Sequence, residues 1–352
     1  MISNSPINQT LPKILECTLR DGAYVVDFKF TKDEAFVIAE RLDSLGFPLI
    51  EVGHGLGLGA SAKGLGHASA SDLEYMQSAQ AAVKQSKWGM FCIPGIASLE
   101  DIDLAASQGM GFVRVGTEVG DVENGLPYIE RAMQHGIEVY CNLMKSYVVP
   151  PQGFARQADK CFNYGASVVY LVDSAGGMLP KEILEYHGAI LDLRPSASLG
   201  FHGHNNLGLA VANSLLCAEL GFDIIDTSLQ GLGRSAGNTP SSQFISALIR
   251  SGFNVFYDVV DVMQAGEELT RHLIIKKGYD TFDMTAGLAL FHSGHFEKVS
   301  KVAEFHQIDA RRLIIELCKL DKINASSEHL EIAAQKVKLQ TRNSNDIVNN
   351  LS

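Results

Sequence analysis

The stretch Phe201-His202-Gly203-His204-Asn205-Asn206 follows a short apolar run, Ser198-Leu199-Gly200-Phe201, and precedes a helix-like run from Leu207 to Leu220. Alternate residues of a β-strand point to the same face. A His-x-His at a strand end therefore aims two imidazoles at one point, with Gly203 expected to leave room between them. That arrangement suits a divalent metal ion. In isolation the motif is more simply two neighbouring core or surface histidines. What decides between the readings is where the strand sits in the chain.

Outward from this stretch, short β-rich runs alternate with longer amphipathic ones. The apolar runs are Lys13–Thr18, Leu49–His54, Gly89–Ile93, Phe112–Gly116, Ile137–Met144, Ser167–Asp173, Leu199–His204 and Asp223–Leu229. Helix-like stretches lie between them: Lys32–Leu45, Ser71–Lys84, Ser98–Ser107, Val122–His135, Gly153–Tyr164, Pro180–Leu193, Leu207–Leu220 and Pro240–Arg250. Gly46, Gly136, Gly165 and Gly221 close helical runs, as C′ glycines do. Strict alternation implies parallel strands joined by helical crossovers. Eight such units over about 250 residues match a closed (β/α)8 TIM barrel. An open doubly wound sheet lacks support, because no Gly-x-Gly-x-x-Gly follows the first strand. The histidine pair then ends the seventh strand of a barrel.

After Ser251 the texture becomes helical, over Val259–Lys276, Phe296–His306, Ala310–Leu320 and Ser327–Val337. The expected organisation is a barrel over residues 11–255, a C-terminal helical domain over 256–340 and a flexible, Asn-rich tail over 341–352.

Composition narrows the function classes. The chain has 352 residues, 46% hydrophobic and 20% charged, with a net charge of −11 from 29 Lys+Arg against 40 Asp+Glu. No dense basic run appears, which argues against nucleic acid or an anionic membrane as partner. No stretch approaches a membrane span. Met1 to Thr10 lacks an apolar signal core. The six cysteines form no Cys-x-x-Cys and read as reduced, buried thiols of a cytoplasmic protein.

Barrel enzymes build their sites at the C-terminal ends of the strands. The first strand ends Thr18-Leu19-Arg20-Asp21-Gly22, the second Glu51-Val52-Gly53-His54, and the sixth Asp173-Ser174-Ala175-Gly176. Asp21 can therefore join His202 and His204. Two imidazoles and a carboxylate leave coordination positions open, the mark of a catalytic metal site rather than a structural one. Mixed nitrogen and oxygen ligation suits Mn²⁺, Fe²⁺ or Zn²⁺, while Mg²⁺ prefers fewer nitrogens. Asn238, after the glycine-rich turn Gly231-Leu232-Gly233, can offer its amide oxygen, or the segment is a simple turn. Arg20 can hold an oxyanion in its fork. A metal and a guanidinium beside open positions can stabilise an enolate, the species through which carbon–carbon cleavage beside a carbonyl passes. The glycine-rich segment Gly53–Gly66 lacks a P-loop ending and is expected to be a flexible lid or substrate-binding loop. His54 at its start is a substrate-site group or a satisfied core histidine.

Together these motifs resemble the metal-dependent aldolases of the 3-hydroxy-3-methylglutaryl-CoA lyase-like superfamily, and within it the 4-hydroxy-2-oxovalerate aldolase branch. The likeness rests on Thr18–Gly22, Glu51–Gly55, Val113-Arg114-Val115, Asp173–Gly176, the run from His202 to Ser214, Gly231–Gly233 and Ala236-Gly237-Asn238. It extends past the barrel through Thr285-Ala286-Gly287 and the helices after it, which are similar to that family's communication domain. The resemblance implies that Asp21, His202 and His204 bind a divalent metal, most commonly Mn²⁺, with Mg²⁺, Zn²⁺ or Co²⁺ as substitutes. It implies that Arg20 steadies a pyruvate enolate and that Ser174 lines the pyruvate site. It also implies a 2-oxo acid and an aldehyde as small-molecule partners, and an acylating aldehyde dehydrogenase as protein partner; the apolar helices after residue 258 suit a homodimer or hetero-complex, or simply packing inside one subunit.

Two departures stand out. The aldolases carry a proton-transferring histidine two residues after the Gly of Arg-Asp-Gly, where this chain has Tyr24. A phenol titrates near pH 10, against about 6.5 for imidazole. The aldolases also carry a tyrosine just after the Ala-Gly of the communication domain, where this chain reads Gly287-Leu288-Ala289-Leu290-Phe291-His292. His292 or His295 is the candidate to reach the site instead. The leading expectation is a metal-dependent aldolase acting on a 4-hydroxy-2-oxo acid. A Claisen-type acyl-CoA/2-oxo acid synthase, similar to isopropylmalate synthase, and a catalytically silent partner subunit are the alternatives.

Overall fold

In the computed structural model, residues 10–273 and 280–349 are described, with side chains as far as residue 340. The strands are β1 (Lys13–Glu16), β2 (Leu49–Val52), β3 (Lys87–Cys92), β4 (Phe112–Glu118), β5 (Glu138–Met144), β6 (Val168–Asp173), β7 (Leu199–Gly203) and β8 (Ile224–Thr227). They follow one another around a closed barrel. Every pairing is parallel, and the ring closes where Lys13 of β1 stands opposite Ile224 of β8. The chain is a (β/α)8 barrel.

Eight helices form the outer ring: α1 (Lys32–Ser44), α2 (Asp72–Ala82), α3 (Leu99–Ser107), α4 (Leu126–Gln134), α5 (Pro151–Tyr164), α6 (Pro180–Leu193), α7 (Ala210–Glu219) and α8 (Ser241–Arg250). Local chemistry sets their ends. Thr31 and Glu34 form a reciprocal capping box at the start of α1, worth about 1 kcal/mol against alanine. Gly46, Gly136, Gly165 and Gly221 all take positive φ, which a residue with a Cβ adopts only under strain. Two expected helices start later than their apolar pattern. α7 begins at Ala210, whose N–H is bonded to the Asn205 side chain at 3.2 Å. The run from Val122 opens as a 3-10 turn and becomes α-helical at Leu126, with a proline in the first turn of α4.

Inside the barrel, strand parity separates two layers. Leu15, Leu49, Phe112, Tyr140, Tyr170 and Ile224 pack together in the lower, apolar layer. Two residues further along their strands stand Glu51, Arg114, Asn142 and Asp226, all buried. The interior thus turns polar toward the C-terminal rim. Gly200 faces inward, and a Cβ there would meet the Tyr170 ring at 2.6 Å. Gly203 faces outward, where a Cβ would meet the Phe201 ring at 2.7 Å. Its missing side chain makes room for Phe201, not for the imidazoles as expected from the sequence.

Beyond the barrel come α9 (Val259–Leu269), α10 (Thr281–Ala289), α11 (Phe296–His306), α12 (Ala310–Cys318) and α13 (Ser327–Asn349). Tyr257 and Val262 pack into the main barrel core. Phe291, Val299, Leu313, Ile314, Leu317 and Leu330 build a second apolar core. The helix expected over Val259–Lys276 ends at Leu269, with a 3-10 turn at Arg271–Leu273; Ile274 to Lys276 lie outside the described residues, as does most of the polar N-terminal stretch. The backbone of α13 continues to Asn349, into the stretch expected as a flexible tail. α10 had no apolar pattern long enough to read as a helix. It packs on the C-terminal rim, where Asp283 O accepts from Asn206 Nδ2 at 3.1 Å and Asp283 Oδ1 accepts from Ser235 Oγ at 2.7 Å. All six cysteines are free and buried. Among the described residues, no helix is long and apolar enough to cross a membrane.

Candidate metal centre

The chain leaves β1 through a tight turn in which the Asp21 N–H is bonded to Cys17 O at 2.9 Å. This turn brings Asp21 over the barrel mouth, opposite the end of β7. One side-chain ligand atom from each of Asp21, His202 and His204 lies within 4.8 Å of the others, and all three residues are buried. The imidazole rings stand nearly perpendicular, with centroids 5.1 Å apart.

Each histidine has one ring nitrogen engaged. Nδ1 of His202 lies 2.8 Å from Asp226 Oδ2, and Nδ1 of His204 lies 3.3 Å from Gly237 O. Both partners are acceptors, so Nδ1 carries the proton and Nε2 presents a lone pair. Asp21 Oδ1 accepts from Arg20 at 2.8 Å, while its Oδ2 is buried without a hydrogen-bond partner. Burial works against ionising Asp21, but the Arg20 guanidinium holds its carboxyl well below the usual carboxylate range. Burial brings the His204 pKa down to about 3, so its imidazole is neutral at pH 7. An orphaned carboxylate oxygen and two imidazoles form a donor set that fits a divalent cation. Asn238 fits as a fourth donor. Its Nδ2 donates to Leu232 O at 3.2 Å, its backbone bridges to His204, and its buried Oδ1 has no partner.

A chain of ion pairs, closed by a carboxylate–imidazole hydrogen bond, runs beneath the candidate ligands. Asp21 meets Arg20 at 2.8 Å, Arg20 meets Glu51 at 2.7 Å, and Glu51 meets Arg114 at 2.9 Å. Arg114 then meets Asp226 at 2.6 Å, and Asp226 meets His202 at 2.8 Å. The chain thus begins at one candidate ligand, Asp21, and ends at another, His202. Arg114 is fully buried and lies over the Tyr170 ring at 4.5 Å. Its NH2 also donates to Asn142 Oδ1 at 3.0 Å. Glu51, Arg114 and Asp226 stood at strand ends in the sequence without an assigned role. The signal was a charged residue two positions after an apolar, inward-facing one.

The other expected residues divide. Arg20 is buried beside Asp21, with its guanidinium 4.7 Å from the Phe91 ring centroid. Ser174 is buried, and its Oγ accepts from the Lys145 N–H at 3.0 Å. Tyr24 lies half-buried on the turn after Asp21, edge-on to Phe28 and under the Arg234 guanidinium at 5.5 Å. Burial raises its phenol above the ordinary value, and Arg234 only partly offsets that. His54, expected at the substrate, spends both ring nitrogens on its own loop instead. Nδ1 accepts from the Leu56 N–H at 3.0 Å, and Nε2 lies 3.2 Å from Gly66 O. Its ring stacks on Phe28 at 4.0 Å. Of the glycine-rich segment expected as a flexible lid or substrate-binding loop, the first part is packed down, with Leu58 buried and a Cβ on Gly57 meeting Phe91 O at 2.2 Å, whereas Ala62 to Leu65 are exposed.

His292 and His295 both come to the rim. Nδ1 of His292 accepts from the Gly294 N–H at 3.2 Å. Burial, with the charges of Arg234 and Lys145, holds the His292 imidazole well below its ordinary value, and His204 is near enough to contribute. His295 reaches Ile323 O at 3.3 Å. Arg234 was not singled out in the sequence.

Residues 11–269 match the family model described as HMGL-like. The chain is 39% identical over 307 residues to 4-hydroxy-2-oxovalerate aldolase 2 of Rhodococcus jostii, covering 86% of this chain and 89% of that protein. It is 34% identical over 317 residues to the 4-hydroxy-2-oxovalerate aldolase of Carboxydothermus hydrogenoformans, covering 90% and 94%. Among solved structures, the HMG-CoA lyase from Brucella melitensis superposes with a TM-score of 0.64 at 21% identity, over 75% of this chain and 99% of that one. The carboxyl transferase domain of Rhizobium etli pyruvate carboxylase superposes with a TM-score of 0.76 at 16% identity, over 94% and 61%. At those identities the two structures speak for the fold alone.

Proposed function

Because the chain belongs to the HMGL-like family, we propose that it is a divalent-metal-dependent aldolase, a carbon–carbon lyase that cleaves or forms a 4-hydroxy-2-oxo acid through a pyruvate enolate. The observation that carries this reading is the convergence of Asp21, His202 and His204 beside a buried Arg20. The aldolase names of its relatives favour it over the Claisen-type synthase. An intact ligand set with its supporting ion pairs favours it over a silent subunit.

In this reading Asp21, His202 and His204 would hold the metal and Asn238 would complete the set, with Mn²⁺ the ion that the family resemblance leads us to expect. The metal, when bound, supplies a Lewis acid beside the pyruvate oxygens. Arg20, held by Glu51 through Nε and by Asp21 through Nη1, would offer its remaining N–H groups to the developing enolate. Ser174 lines the pyruvate side. A phenol raised by burial keeps its proton at neutral pH, so Tyr24 donates a hydrogen bond to the 4-oxygen and does not abstract its proton. His292 is neutral at that pH. With Nδ1 accepting from Gly294, its Nε2–H is the second donor available at the rim.

The free, buried thiols suit the reducing cytoplasm. An acylating aldehyde dehydrogenase taking up the aldehyde, or a homodimer, is the protein partner this reading expects. The direct test is a panel of 4-hydroxy-2-oxo acids assayed with Mn²⁺ by coupled pyruvate detection. Metal-dependent pyruvate release supports the reading. Thiol release from acetyl-CoA in the presence of 2-oxo acids, without aldol cleavage, would replace it with the synthase.

A further inference from the structure

Arg234 stands on the loop after β8, between the glycine turn and Asn238. Its guanidinium carbon lies 5.5 Å from the Tyr24 ring centroid. The next residue, Ser235, is bonded to Asn206 and to Asp283 of α10, which pins the loop between barrel and helical region. Arg234 is half-buried, and its Nε is buried without a hydrogen-bond partner. Among the described residues, no carboxylate forms an ion pair with it. Its charge nonetheless reaches Asp21, Tyr24, Tyr147, His204 and His292, so it faces the space above the metal ligands.

The other rim cations are already matched. Arg20 is paired with Asp21 and Glu51. Lys145, at the end of β5, is held by Glu118 Oε1 at 3.0 Å and Ile323 O at 3.2 Å. A buried guanidinium nitrogen without a partner is costly, and the planar fork of an arginine fits a carboxylate or phosphate. The pyruvate half of the substrate belongs to the metal and Arg20. Arg234 lies instead beside Tyr24, the group assigned to the 4-oxygen, where the aldehyde half must sit.

We propose that Arg234 recognises an anionic group, a carboxylate or a phosphate, on the aldehyde half, so that the substrate is a 4-hydroxy-2-oxo acid with a second anion beyond C4. This rests on the aldolase reading above. In the condensing direction the pyruvate methyl carbon loses a proton and bonds to the aldehyde carbon, and the aldehyde oxygen takes up a proton. The distal anion is untouched and serves only for recognition.

The test condenses pyruvate, with Mn²⁺, onto three aldehydes: propanal, succinic semialdehyde and glyceraldehyde 3-phosphate. One anionic aldehyde is expected to exceed propanal in kcat/KM by about thirtyfold or more, and which one does so separates carboxylate from phosphate. Arg234→Gln should cut that ratio at least tenfold, mainly through KM, and Arg234→Lys should keep part of it. Wild-type preference for propanal, or a ratio unmoved in an Arg234→Gln enzyme that still turns over, overturns the proposal. If no aldehyde reacts, exchange of pyruvate methyl protons by the wild type decides what fails. Exchange present means that the enolate reading stands and this proposal falls. Exchange absent means that the aldolase reading falls and takes this proposal with it.

Discussion

Nδ1 of His202 lies 2.8 Å from Asp226 Oδ2, and this contact sets the histidine's tautomer. A carboxylate behind a ligating imidazole fixes the ring and raises its basicity, and losing it typically costs about 10–100-fold in metal affinity. Asp226→Asn should therefore weaken Mn²⁺ binding by that factor, read by calorimetry or by the Mn²⁺ resonance signal. Affinity equal to the wild type would remove His202 from the ligand set or Asp226 from its support.

Arg114 holds Glu51 and Asp226 together at 2.9 and 2.6 Å with no exposure to solvent. Removing one partner of a buried ion pair costs about 3–5 kcal/mol, because the remaining charges lose their compensation. Arg114→Met should lower stability by that amount in urea or thermal unfolding. A loss under about 1 kcal/mol would mean that the acidic pair is neutralised some other way.

Burial carries the Glu16 pKa up to about 7. The folded state therefore keeps a proton that the unfolded chain releases near pH 4.5. The stability this contributes is fully present below about pH 4.5 and is lost as pH rises through 7. The full swing is on the order of 3 kcal/mol. Glu16→Gln stays neutral throughout and should flatten the decline between about pH 4.5 and 7. Parallel stability curves for the two proteins would contradict the assignment.

The barrel was legible because its helices and strands differ in period and its helices end on glycine. The cluster of Asp21, His202 and His204 was legible because Arg20-Asp21 and His202-Gly203-His204 fall at strand ends, where such barrels keep their sites. The ion-pair chain was harder to read. Glu51, Arg114 and Asp226 lie on three different strands, and only the closed ring brings them together. His54 stayed open between a site group and a satisfied core histidine because a histidine beside a glycine-rich loop can face the cavity or cap the loop, and ring orientation is a tertiary fact. α10 was missed because its burial is shared between the rim at Gly177, Asn206 and Leu207 and the second apolar core at Ala286, with no long apolar stripe of its own. Arg234 lay in an apparent turn, and its direction became visible only when that turn packed against Tyr24.

Tyr24 tests the division of labour within the site. With its phenol protonated, it acts on the 4-oxygen and not on the pyruvate methyl group. Tyr24→Phe should lower kcat for cleavage by about 10²-fold or more while leaving metal affinity intact and pyruvate enolisation comparatively spared. Equal losses in cleavage and enolisation would move Tyr24 to the pyruvate half.

The central claim is that Asp21, His202 and His204 hold a metal which, with Arg20, stabilises a pyruvate enolate. Proton NMR of pyruvate in D₂O measures this without any knowledge of the aldehyde. The account predicts Mn²⁺-dependent loss of the methyl signal with the wild type, abolished by chelation and by His202→Ala. Absence of exchange from wild-type protein with Mn²⁺ demonstrably bound would contradict it.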